Sequence, residues 1–148
     1  MSASSVAALV SLAAGIAGGV QVAIAGAFGR RIGVLEATSF AAVVGALAVL
    51  ATTAVVRQGL GGVAEGFRVP PWLWLGGIMG AIVITTISYA PQRIGTFATI
   101  GLLIAGQLVA GAAIDALGLF GLEKIPLTVQ RVVGLVLLSG GALLVLRR

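Results

Sequence analysis

Five long runs of this chain carry no charged side chain, and nothing else in the sequence constrains the fold as much. Residues 2–29, 37–56, 69–92 and 94–114 are each at least 20 residues long, and residues 132–146 add a run of 15. A helix crosses about 30 Å of hydrocarbon with about 20 apolar residues. The runs are continuous, without the ten-residue alternation of a barrel strand, so they predict spanning helices. The fold class read from this pattern is an all-α integral membrane protein with five transmembrane helices.

Composition supports the same reading. Charged residues make up 9% of the chain and hydrophobic ones 59%, at a mean hydropathy of +1.20. A soluble domain is about one quarter charged, which excludes a water-soluble core. Cysteine and histidine are absent, which removes disulfides, thiol chemistry, haem ligation and most zinc sites. Glu36, Glu65, Asp115 and Glu123 are the only carboxylates and are scattered, so no metal site and no cofactor is expected. The net charge of +5 comes from cations in short loops and at helix ends. There they anchor against lipid headgroups, and no nucleic-acid partner is read from them.

The helices are expected at about 6–28, 35–56, 72–90, 95–117 and 127–146, in a single five-helix domain without internal repeats. The first run lacks a basic n-region and far exceeds the length of a signal-peptide core, so it is read as a retained helix. Residues 29–33 read as a turn, and Glu36 suits the positive end of the second helix dipole. Pro70 and Pro71 open the third helix, with Trp72 and Trp74 at an interface belt, and Pro91 ends it. Gly118 and Gly121 stop the fourth helix and Pro126 opens the fifth.

Five spans place Arg57, Arg68, Lys124 and Arg131 on one face and Arg30, Arg31, Arg93, Arg147 and Arg148 on the other. A Lys/Arg excess on one side orients a membrane protein, and this near-even split supplies almost none. Two readings follow. In one, the chain inserts both ways and pairs as an antiparallel homodimer, reproducing the inverted repeat that many transporters build within one chain. In the other, a few charges near the first helices fix one orientation.

Polar side chains inside a bilayer are costly and mark partners or cavities. In the fourth helix Gln107, Gly111 and Asp115 follow at i, i+4 and i+8, a polar and small stripe on one face. Asp115 is either part of a site or coupling pair, or a structural partner of Lys124 or Arg131. Gln21 lies in a glycine-rich half of the first helix and reads either as a cavity residue or as packing glue. Thr85, Ser88 and Tyr89 sit within two turns of the third helix. They either line a cavity or, for the hydroxyls, bond back to their own helix. Glu36 is the other candidate for proton coupling, against ordinary solvation at a helix end. Gly134 and Gly141, one heptad apart, read as a helix-pairing face and dimer seam, or as glycines that face lipid. The glycines of 76–81 follow no strand and read as helix packing, not a nucleotide loop. No nucleophile–base pair and no Walker A motif is present, so the chain is not read as an enzyme.

The ordered set of Gln21, Gly33, Ser39-Phe40, Gly45, Pro71-Trp72, Trp74-x-Gly76-Gly77-x-x-Gly80-Ala81 and Gly95 continues with Gly106-Gln107, Asp115-x-x-Gly118-x-Phe120-Gly121, Pro126-Leu127, Arg131 and Gly134. In these landmarks the chain resembles the half-size, five-helix YdcZ-like family of the drug/metabolite transporter superfamily. It departs from the family pattern at Ala25, where an Asn is usual, and at Ala116, where a His is frequent. The resemblance implies a bacterial inner-membrane protein, a transporter-like bundle, and either a homodimer or a heterodimer with a related half-size subunit. A weaker similarity links the last-helix glycines to small multidrug resistance exporters, whose central Glu in the first helix is replaced here by Gln21.

The leading functional expectation is a secondary transporter half. Two copies form a ten-helix bundle around a cavity lined by Gln21, Tyr89 and Gln107, with Thr85 and Ser88 nearby, and move a small metabolite or drug-like solute by alternating access. The other classes are a small dual-topology channel and a non-transporting membrane scaffold.

Overall fold

The computed structural model describes residues 2–146. Its regular structure is all helical, with no strand among the described residues. Five segments are long and apolar enough to cross a membrane: Ala3–Ile32, Val34–Arg57, Pro71–Ile94, Thr96–Leu117 and Val129–Leu146. The main helices within them are α1 (Ala3–Ile32), α2 (Val34–Arg57), α3 (Leu75–Tyr89), α4 (Thr96–Leu117) and α5 (Val129–Leu146). At most 11% of the most apolar stretch of any span is buried within the chain. The apolar surface therefore faces outward, as it must in a protein solvated by lipid.

The chain divides into two compact units, Met1–Gln92 and Arg93–Arg148. In the first, α1, α2 and α3 each pack against the other two. The helix α1 starts at Ala3, where the Ser2 hydroxyl caps the Ser5 amide at 3.2 Å. Its 30 residues make it about 45 Å long. It also runs through the expected turn at 29–33 and stops only at Gly33. A φ of 102° at Gly33 lets one residue end α1 and begin α2, a conformation that a side chain would strain. Across that hairpin Phe28 and Phe40 meet edge to face at 5.6 Å.

The α2–α3 connection is built of short helical turns. It forms a helical turn at Gly61–Ala64 and 3-10 turns at Glu65–Phe67 and Pro71–Trp74. The Trp74 indole donates to the Gly66 carbonyl at 3.0 Å and its ring stacks edge-on with Phe67. The α1–α3 crossing is tight. A Cβ at Gly26 would lie 2.8 Å from the Pro91 ring, and one at Gly29 would lie 2.7 Å from the Ser88 carbonyl oxygen. Backbones approach this closely only where glycine removes the side chain.

In the second unit α4 and α5 pack as a pair. They approach closely at Gly101 and Ala142, where an added Cβ would sit 3.8 Å from its neighbour. Gly118 ends α4 in the left-handed conformation, its amide donating to Ile114. The connection then turns through Phe120 and Gly121, both at positive φ. It returns to donate from the Ile125 amide to the Asp115 carbonyl at 2.9 Å.

Candidate functional site

The stripe of α4 meets the start of α5. Gln107, Gly111 and Asp115 line one open groove of about 350 Å³ together with Arg131 and Gly134. Leucines 108, 127, 135 and 138 make up much of its apolar wall. The eight residues from Gln107 to Asp115 span about 12 Å of helix axis. Gln107 and Asp115 thus mark two levels of one trough, and α5 closes its far side. A Cβ at Gly111 or Gly134 would meet nothing within 4 Å, so within one chain these glycines widen the trough.

At one end of the groove the Arg131 guanidinium contacts an Asp115 carboxylate oxygen at 3.5 Å, with the two side chains 47% and 38% exposed. Strong charged hydrogen bonds of this type are about 2.7–2.9 Å long, and an arginine fork can make two at once. This pair makes one, and a long one. Local structure fixes both ends of it. The returning loop ties down the Asp115 carbonyl, and the Arg131 amide donates to the Thr128 hydroxyl at 3.4 Å, a first-turn cap.

A second groove, of about 460 Å³, lies in the first unit between Val34 of α2 and the face of α3 formed by Ile78, Ala81, Ile82, Thr85, Thr86 and Tyr89. Tyr89 is half exposed at its rim. The Thr85 hydroxyl donates to its own helix at Ala81, and Thr86 does the same at Ile82. These hydroxyls are spent on the backbone.

The remaining sequence candidates are placed elsewhere. Ser88 is buried, 1% exposed, with its hydroxyl on the Ile84 carbonyl; it packs at the α1–α3 crossing and lines neither groove. Gln92 beside it donates to the Ser88 carbonyl. Gln21 points outward from α1, about 100° around the helix from Val22 on the buried face of Val22, Ala25, Gly26 and Gly29. Glu36 is exposed at the start of α2, its carboxylate folded over Gly33. Gly141 is exposed on α5 with open space around it.

Sequence reasoning missed Thr38. It is 9% exposed, and its hydroxyl has no hydrogen-bond partner among the described residues. Nothing in the local sequence distinguishes it from Thr52 and Thr53, which bond to their i−4 carbonyls. No group of three or more metal-ligating side chains converges among the described residues.

A family model described as "Putative inner membrane exporter, YdcZ" matches residues 6–144. No curated protein matches the chain. No solved structure matches it either.

Proposed function

The chain belongs to the YdcZ family, a multi-pass inner-membrane family described as exporters, and from that premise we propose that it is half of a secondary transporter. Two copies, one inverted relative to the other, enclose a path for a small solute and expose it alternately to each side of the membrane. The observation that carries this reading is the α4–α5 groove, where an amide and a charge pair line an open trough in an otherwise apolar helix pair. Groups of that kind are expensive in a bilayer and are retained for a pathway or a partner. Low burial of every span supports pairing, because one chain covers little of its own small-residue surface. The four-to-five split of cations supports inverted pairing; two of the five, Arg147 and Arg148, lie outside the described residues. A related half-size subunit would satisfy the same geometry.

The driving force in this proposal is a solute or ion gradient, since the sequence has no phosphate-binding loop. In a paired bundle, where the outward-pointing Gln21 would face the second copy, an uncharged side chain there favours a neutral or weakly charged metabolite over a strongly cationic drug. The test is flux of radiolabelled solutes in proteoliposomes across a metabolite panel. Saturable flux and counterflow, reduced by Gln107→Ala, are expected. Unitary current steps in planar bilayers would replace the transporter by a channel. Single cysteines near each terminus, labelled from outside cells, test orientation: equal labelling of both ends is expected, and labelling of one end alone rejects inverted pairing.

A further inference from the structure

The α4–α5 groove combines three properties in one place. It is bounded at one level by a loose pair of opposite charges, its apolar side chains are mainly leucine, and it has an amide about 12 Å further along. The pair leaves capacity unused. Among the described residues, one Arg131 nitrogen contacts one Asp115 oxygen, while the other guanidinium nitrogens and the second carboxylate oxygen have no described partner. The carboxylate and guanidinium together carry no net charge. A cation entering beside Asp115 meets the repulsion of Arg131, and an anion entering beside Arg131 meets that of Asp115. A molecule bearing both an ammonium and a carboxylate on one carbon meets attraction on both sides and inserts alongside the pair. Its apolar body then lies against Leu108, Leu135 and Leu138.

The geometry points to a zwitterion-binding site for a small α-amino acid with an apolar side chain, held by Asp115 at the ammonium and Arg131 at the carboxylate. This inference rests on the transporter reading for its physiological use but not for its binding chemistry. A volume of about 350 Å³ suits such a solute, at the small end of ligand pockets. The same charges would also fit the headgroup of a zwitterionic lipid, which carries an ammonium and a phosphate.

The experiment uses the full chain in nanodiscs of phosphatidylglycerol alone, with L-leucine as the titrated probe in calorimetry. Leucine is expected to bind. Isopentylamine and 4-methylpentanoate, which keep the apolar body and one charge each, are expected not to displace it. Asp115→Asn and Arg131→Gln should each weaken binding at least tenfold. Because either change removes a partner of the pair and can perturb folding, Gly134→Leu provides a second variant. It fills open space in the groove and leaves both charges in place. It should abolish leucine binding without lowering the thermal midpoint.

Displacement by either singly charged analogue, absence of leucine binding, or unchanged binding in Gly134→Leu overturns the site. Native mass spectrometry in mixed nanodiscs separates the lipid. Retention of phosphatidylethanolamine by the wild type and its release by Asp115→Asn assigns the pair to a headgroup and overturns the amino-acid proposal. Flux of other solutes without leucine binding removes this inference and leaves the transporter standing. Leucine binding without flux of any solute does the reverse.

Discussion

The α1–α3 crossing and the α4–α5 groove are built from the same residue types and do opposite things. Each sets glycines against a neighbouring helix with polar side chains close by. At the crossing, Gly26 and Gly29 have no room for a methyl group, and Pro91 and the Ser88 carbonyl occupy the space. In the groove, Gly111 and Gly134 face open space. A glycine in a membrane helix thus marks either contact or vacancy, and only the partner's position decides which. The polar groups divide in the same way. Ser88 and Gln92 at the crossing satisfy their own helix, whereas Asp115 and Arg131 keep hydrogen-bonding capacity facing the groove.

The largest expected effect is at the crossing. Gly29→Val places a branched side chain where even a Cβ would sit 2.7 Å from backbone. Overpacking of this kind costs about 1–3 kcal/mol and occasionally more, and here the obstacle is main chain. The expected result is loss of monodisperse protein in size-exclusion chromatography in detergent. Gly26→Ala should follow with a smaller loss of about 1–3 kcal/mol, because the neighbour at 2.8 Å is a proline ring with little freedom to move. The comparison breaks if Gly111→Ala lowers the midpoint of unfolding as much as Gly26→Ala does. It sharpens if Gly111→Ala is neutral or raises it, as the helix preference for alanine predicts.

Much of this contrast was hidden in the sequence for a physical reason. The spans were legible because uncharged runs of 20 residues have few alternatives to crossing a bilayer. Which face of each span packs was not, because helices apolar all round carry no amphipathic stripe to read. The Asp115–Arg131 pair was legible as one option, since acids and bases are so few and Asp115 lay on the polar stripe. Thr85, Ser88 and Tyr89 were adjacent in sequence, yet the structure puts Ser88 in a crossing and the other two on a groove. Thr85 and Tyr89, four residues apart, share one face and Ser88 turns to another, and the third helix gave no signal of which way was inward. The turn expected at residues 29–33 became helix because Gly33 alone supplies the reversal.

A third effect, of opposite sign, is expected at Thr38. Its buried hydroxyl has no partner among the described residues, and an unmet buried polar group costs about 1–3 kcal/mol. Thr38→Val keeps the shape and removes the hydroxyl. It should raise the unfolding midpoint in detergent. A lowered midpoint would show that the hydroxyl is bonded in the assembled protein, for instance across a second copy, and would make Thr38 a contact residue.

The smallest effect is expected at Thr85, and it separates groove from chemistry in the first unit. Thr85 lines the α2–α3 groove, but its hydroxyl is held by the Ala81 carbonyl at 2.8 Å. Thr85→Val preserves the branched shape, deletes only a back-bond to its own helix and leaves the helix ladder intact. Stability should change by about 0.5 kcal/mol or less, as for substitutions away from packed or unsatisfied groups, and solute flux in proteoliposomes should be unchanged. By contrast, Gln107→Ala in the second unit removes a side chain that borders the trough and is expected to lower flux. If Thr85→Val reduces flux and Gln107→Ala does not, the solute uses the α2–α3 groove, and the roles assigned to the two grooves exchange.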